Sequence, residues 1–297
     1  MMKDRFASYH PLVNFLYFTM TMGFSMTIGH PLTQGMSFLC ACCYGVQTQG
    51  KQAVLFCLKW CLPMMLLTAF MNPAFSHEGV SILLYLPTGN PLTLESILYG
   101  LSAGLSLGTL ILWFFNFNRV ITSDKFIYLF GRLIPALSLV LSMTLRFIPR
   151  FKAQLELVKD AQRGMGRDPS QGSLLQRTKS AITVLSILIT WALENAIETG
   201  DSMRSRGYGL KGRTAFTVYR FDQRDKTAMV FLGFCGLYLL SGVIANAFGF
   251  RYYPSLRYVS LNPMTLSFQL VFLMMCAMPV AINTVEERQW KAIHSNM

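Results

Sequence analysis

The sequence predicts an all-α, polytopic helical membrane protein, and three observations carry that prediction. Of its 297 residues, 53% are hydrophobic and 13% are charged, against roughly 25% charged in ordinary soluble domains. The apolar residues are gathered into runs, several of them near the roughly 20 residues that a helix needs to cross a bilayer. The charge is gathered as well. Residues 119–226 hold 18 of the 26 Lys and Arg residues and 9 of the 14 Asp and Glu residues, so +9 of the formal net charge of +12 lies there. A basic block between apolar runs marks the cytoplasmic side of a membrane. No nucleic-acid partner is expected, because no reader motif accompanies the charge.

No cleavable signal peptide is expected. Met1-Met2-Lys3-Asp4-Arg5 is charged, but no small-residue cleavage site follows a short apolar core. Residues 12–29 form a first apolar run ending at Gly29-His30-Pro31, and residues 32–46 a second, shorter one; together they read as a tight helical hairpin. After the polar patch Gln47–Gln52 a third run extends from Ala53 to Met71, with Pro63 as a point of kinking. Residues 72–93 read as a loop, in which Val80–Leu86 is too short to span and lies at the interface. The fourth run, 94–117, ends in Trp113-Phe114-Phe115, aromatics that suit the headgroup belt.

Only 13 residues separate Arg132 from Arg146, Pro135 among them. Ile134–Leu145 therefore reads as interfacial or buried within the bundle; the alternative is a span from near Phe126 that buries Arg132. Further runs follow at 226–249 and 264–284, with a loop at 250–263 carrying Arg251 and Arg257 on the outside. The expected organisation is N-terminal membrane helices in 1–118, a cytoplasmic or interfacial domain in 119–225, and C-terminal membrane helices with a polar tail in 226–297. Four spans precede the basic block and two follow it, with both termini cytoplasmic.

The chain is organised around Arg146–Arg224, which holds two amphipathic helical patterns. In the first, Phe147, Phe151, Leu155, Val158, Gln162 and Met165 recur on one face and Lys152, Glu156, Lys159 and Arg163 on the other. Gly164 and Gly166 weaken it and Pro169 ends it. Ser173-Leu174-Leu175-Gln176 reads as a capping box that opens a second helix, from Leu174 to about Ser205. The apolar centre of that helix, Ala181–Leu193, is too short to cross a membrane and reads as packing beneath the bundle. Gly200 is expected to loosen it, and Gly207 to supply the left-handed cap. Arg204 and Arg206 sit where cations suit the negative end of the helix dipole.

Composition alone explains such arginines as positive-inside anchors. Their small neighbours, however, leave the five guanidinium donors open to enter a partner's groove. The seven cysteines lie in apolar segments and suggest no disulfide framework. Cys40-Ala41-Cys42-Cys43 reads as helix packing, since no second Cys or His cluster completes a tetrahedral metal set. His10, His30, His77 and His294 are scattered and form no catalytic constellation. No catalytic residue, cofactor or metal is expected.

These residues resemble the transmembrane T component of energy-coupling factor transporters, the CbiQ-type family. The resemblance covers nearly the whole chain. It rests on Tyr9-His10-Pro11 with Asn14–Phe18, Thr122–Phe126, Leu145–Phe151, Ala161-Gln162, Trp191–Ala196 and, most specifically, Ser202–Gly209. It implies two long cytoplasmic coupling helices that bind two cytosolic ABC ATPase subunits, each through a short motif with a central arginine. It also implies a membrane substrate-binding S component for a vitamin or transition-metal ion, a multi-pass location in the cell membrane among lipid, and no catalysis in this chain. The second motif falls on Arg204, Ser205, Arg206, Gly207 and Tyr208, with Arg206 central. In the first, the register gives Gly164-Met165-Gly166, so the expected arginine falls on Met165, with Arg163 and Arg167 flanking it to supply the charge. An intramembrane enzyme would need ionisable groups inside the spans, where little beyond Lys59 is found. A channel or self-sufficient transporter would need charged or unwound mid-membrane segments.

Overall fold

The computed structural model describes residues 4–76, 78–85, 91–131, 135–166, 173–208, 219–258 and 262–295. The first two helices, α1 (Pro11–Thr27) and α2 (Pro31–Gln49), begin alike. His10 and His30 are their N-caps, each Nδ1 accepting the backbone N–H two residues on (Leu12, Leu32) at 3.3 Å, and each is followed by proline at the first helical position. Proline is suited there because its missing N–H would have no partner in any case.

The third apolar run is one rod of three pieces: α3 (Lys51–Phe56), a π-helical turn (Cys57–Cys61) and α4 (Leu62–Phe75). The turn accommodates Pro63 by an i→i+5 bond, Leu62 N–H donating to Cys57 O. The following loop contains a hairpin of β1 (Ile82–Tyr85) and β2 (Pro91–Thr93), with Ile82 opposite Thr93 and Leu84 opposite Leu92. Thr93 then caps α5 (Leu94–Val120), its Oγ1 accepting Ser96 N–H at 3.3 Å.

A glycine stripe seats α5 on α4. Gly100, Gly104 and Gly108 recur every fourth residue and so share one face. A Cβ at Gly104 would stand 2.6 Å from the Met65 carbonyl oxygen, and one at Gly100 2.8 Å from that of Ala69. Trp113 departs from the sequence reading. It is fully buried, donating its indole N–H to Ser37 Oγ at 3.0 Å, so it serves the core, not the headgroup belt.

The remaining elements are α6 (Ser123–Gly131), α7 (Pro135–Gly164), α8 (Leu174–Ser205), α9 (Gln223–Ile244), the two-residue ribbon β3 (Phe250–Arg251) with β4 (Arg257–Tyr258), and α10 (Pro263–Ser295). Residues 135–145 are not a separate short piece. They are the first turns of α7, which Pro135 can open because a first-turn residue needs no donor. Leu139 and Val140 are exposed. Arg132 lies outside the described residues.

Among the described residues five helices are long and apolar enough to cross a membrane: Lys51–Phe75, Leu94–Val120, Leu174–Ser205, Gln223–Ile244 and Pro263–Gln289. Two corrections follow. The rod containing α8 has a sufficiently apolar stretch, because its serines and threonines interrupt the run without adding charge. The helices α1 (17 residues) and α2 (19 residues, with Gln34, Gln47 and Gln49) do not belong to the five.

The fold divides into two compact units: Met1–Phe126 with Tyr219–Met297, and Ile127–Val218. The core of the first gathers Phe6, Tyr17, Phe18, Tyr44 and Trp113 with Leu232, Leu239, Phe272 and Met275. The segment before α1 is plugged into it. Asp4 accepts from Tyr44 Oη at 2.9 Å and from Asn283 Nδ2 at 3.2 Å, while Asn283 Oδ1 accepts the N–H groups of Arg5 and Phe6 at 3.0 and 3.2 Å. Lys125, 7% exposed, donates to Ala7 O at 2.6 Å. With its amide turned to satisfy both neighbours, Asn14 accepts from Lys125 at 2.9 Å and donates to Phe6 O at 3.0 Å.

Burial pushes the Lys125 ammonium down to about 8 from its usual 10.5, Asp4 opposing the shift. The unfolded chain keeps that proton longer, so between about pH 8 and 10.5 it binds more protons than the folded chain. Stability from this site is therefore lost as pH falls through 8 and recovered as pH rises towards 10.5. Lys125→Met should remove this contribution, at most about 1.4 kcal/mol per pH unit. Thermal melting of the two proteins in detergent across that range checks it, and parallel curves would contradict it.

Candidate functional site

The second unit is built on α7 and α8. Phe147 and Phe151 of α7 meet Trp191 of α8 at 5.7 and 6.0 Å between ring centroids. Val158, Val184 and Leu188 are the buried centre of the same packing, with Leu155 beside them. The opposite face of α7 carries Lys152 and Glu156 in solvent, with ion pairs Lys159–Glu156 at 3.0 Å and Arg163–Asp160 at 3.2 Å. Exposed pairs of this kind contribute little to stability. On α8 a second apolar stripe, Ile182, Leu185, Ile189, Leu193 and Ile197, remains exposed.

Local sequence sets the ends of α8. Ser173 and Gln176 form the expected capping box, Ser173 Oγ accepting Gln176 N–H at 3.5 Å and Gln176 Oε1 accepting Ser173 N–H at 3.2 Å. The helix runs through Gly200 without interruption to Ser205. Arg206 is the C-cap, at φ −87° and ψ 8°. Gly207 follows at φ 74°. Its N–H donates to Arg204 O at 3.0 Å, and Tyr208 N–H reaches back to Met203 O at 3.1 Å. This is the Schellman arrangement, in which two otherwise orphaned carbonyls are satisfied by the backbone that turns away from the helix.

α7 ends the same way as far as it is described. Gly166 has φ 73°, and its N–H donates to Arg163 O at 2.9 Å. Matching the two caps residue by residue pairs Gly166 with Gly207, Met165 with Arg206, Gly164 with Ser205 and Arg163 with Arg204. Met165, 61% exposed, thus occupies the position that Arg206 holds on α8. Gln162 is buried just before this cap, and its side-chain oxygen has no hydrogen-bond partner among the described residues. Arg167 lies outside the described residues.

The left-handed glycines are required by their φ. Gly207→Ala is expected to cost about 1 kcal/mol and to fray the last turn of α8, read as faster amide exchange at Gly207 and Tyr208. Unchanged exchange would contradict it.

A family model described as CbiQ, cobalt transport protein, matches residues 7–216. The chain belongs to this family. Proteins named energy-coupling factor transporter transmembrane protein EcfT are similar to part of it. That of Lactobacillus helveticus is 35% identical over 106 residues, covering 35% of this chain and 38% of the relative. That of Lactococcus lactis subsp. cremoris is 36% identical over 95 residues, 32% of this chain and 36% of the relative. That of Lacticaseibacillus paracasei is 32% identical over 109 residues, 36% of this chain and 39% of the relative. The chain therefore matches less than two-fifths of the length of these relatives. As a CbiQ-family protein with five candidate spans, it is a multi-pass protein of the cell membrane.

Sequence reading missed three things about this family member. The glycine stripe was legible as Gly-x3-Gly-x3-Gly. The paired His-Pro-Leu helix starts were legible as a repeat. The position of Lys125 was not, since it depends on contacts more than a hundred residues away. Folding also brings Cys57 near Cys42 of α2, a juxtaposition that spacing did not indicate, while Cys61 lies one turn on from Cys57. Among the described residues no three such groups are arranged to hold a metal ion.

Proposed function

We propose that this chain is the transmembrane coupling subunit, the T component, of an ATP-driven importer of the energy-coupling factor type. The observation that carries the reading is the pair of matched caps on α7 and α8. Each turn satisfies helix-end carbonyls from within its own backbone and sets where the chain leaves the helix, so the cap backbone needs no partner. Two cytosolic ABC ATPase subunits are the partners, one at each cap. Arg206, with Arg204, Ser205, Gly207 and Tyr208, forms one contact. Arg163, Gly164 and Met165 form the other, with the charge supplied by Arg163 or Arg167.

In this reading residues 119–225 lie on the cytoplasmic side, as their charge excess supports, and α8, though long and apolar enough to cross a membrane, lies along it as a coupling helix. The exposed stripe Ile182–Ile197 of α8 is covered by a membrane substrate-binding S component or by lipid, because an apolar face of that length is costly to leave in water. ATP hydrolysis belongs to the partners. Closure of the ATPase pair moves α7 and α8, and the S component reorients and releases its cargo, a vitamin or a transition-metal ion. The test is uptake into vesicles holding purified components. Uptake should require this chain, both ATPases, the S component and ATP together. Uptake by this chain alone would instead make it a self-sufficient transporter or channel and end the proposal.

A further inference from the structure

The chain passes between its two units twice, inside α6 after Phe126 and again before Tyr219. Both passages are fastened, on the side of the first unit, to the same short segment. At the first, Lys125 donates to Ala7 O at 2.6 Å, one residue before the unit ends. After the second, Phe221 stands edge-on to the His10 ring at 5.1 Å, and buried Asp225 accepts His10 N–H at 2.9 Å. Asp225 also accepts Asp222 N–H at 2.9 Å, which closes the first turn of α9. The Arg224 guanidinium lies over the Tyr9 ring at 5.6 Å. The segment is held in turn by Tyr44 of α2 and Asn283 of α10, and by Phe6, fully buried among the rings of Tyr17, Phe18 and Tyr44.

A lysine is an expensive way to fill this space. Methionine would occupy a similar volume without removing a charge from water. What the ammonium adds is direction: its bonds to Ala7 O and Asn14 Oδ1 fix where α6 begins relative to the segment. We propose that Lys125 is a positioning residue for energy coupling, and that Asp4–His10 is the clamp that holds both passages so that movement of residues 127–218 reaches the membrane helices undiminished. The inference rests on the coupling reading above. It adds that force transmission depends on a site remote from both helix caps. With the clamp loosened, the passages absorb the stroke, and ATP is hydrolysed without transport.

The test uses the full transporter in vesicles, with uptake per ATP hydrolysed, ATPase co-purification and amide exchange as readouts. Lys125→Met should keep both ATPases bound. Its uptake per ATP should fall roughly tenfold or more, the factor that corresponds to one hydrogen bond to a charged group. Exchange should rise together at Ser123–Phe126 and at Tyr219–Asp225. Tyr44→Phe, which removes only one bond to Asp4, should shift both readouts the same way by less. It decides the matter if Lys125→Met does not accumulate: coupling that falls with both passages loosened supports the clamp, and normal coupling overturns it. Unchanged uptake per ATP in Lys125→Met, or faster exchange confined to α6, would likewise overturn it. So would loss of the ATPases, which would assign Lys125 to docking or folding. If the unaltered chain binds no ATPase pair, it is the coupling reading that fails, while paired loosening in the chain alone remains a separate result.

Discussion

Arg206→Glu is expected to abolish stable co-purification of this chain with its ATPase pair while leaving the membrane helices folded. Arg206 is the C-cap of α8, and Gly207 at φ 74° turns the chain away directly after it. The carbonyls of Met203 and Arg204 are already satisfied by Tyr208 and Gly207, so altering the side chain does not orphan them. Removing one member of a buried, charge-assisted contact across an interface costs about 2–5 kcal/mol, because the other member is left unpaired. At about 1.4 kcal/mol per tenfold, Arg206→Ala should weaken binding by one to several decades, and the reversed charge should do worse. Arg206→Lys keeps the charge but loses the planar fork and should fall between. A residue that only anchored the chain by charge would give another pattern: lysine equivalent, and alanine nearly harmless among the 18 basic residues of 119–226. Normal assembly and uptake by Arg206→Glu would defeat the docking role.

Gly104→Leu is expected to have the largest effect on the fold itself. Its Cβ would stand 2.6 Å from the Met65 carbonyl oxygen and 3.3 Å from Met65 Cα and carbonyl carbon. These atoms are backbone, so no rotamer change relieves the clash; α4 and α5 must move apart and lose the close approach that small residues permit. Overpacking that side chains cannot absorb costs about 3 kcal/mol or more, a large part of a typical total of about 5–15 kcal/mol. Gly233→Ala is the matching control, since nothing lies within 4 Å of the Cβ it would add. It should be neutral or stabilising by about 0.5–1 kcal/mol. Thermal melting in detergent, read by loss of the monodisperse protein peak, compares the three proteins. Equal stability of Gly104→Leu and the parent would refute the packing role of the stripe.

Local chemistry made α8 legible from sequence. Ser173 with Gln176 fixes its start, and Gly207 its stop, because both act within a single turn of the chain. The end of α7 was legible for the same reason. Its beginning was not: counting residues between Arg132 and Arg146 isolates a short apolar piece, whereas Pro135 opens a helix that continues through Pro149 to Gly164. Long-range contacts were invisible too. Nothing near Trp113 reveals that Ser37 will accept its indole N–H, and nothing near Lys125 points to Ala7. The correspondence of Met165 with Arg206 sits between these cases. The register of the motif suggested it, and the cap hydrogen bonds give it a geometric basis.

The docking of α8 on an ATPase is tested most directly at Tyr208, 40% exposed and next to the cap. A photoreactive benzophenone amino acid placed there, in cells that also express the two ATPase subunits, reports what lies within reach of the α8 end. The expected result is a light-dependent adduct between this chain and one ATPase subunit, lost when Arg206→Glu is added. Light-dependent adducts with lipid or with other copies of this chain, and none with an ATPase, would contradict the docking of α8 on that subunit.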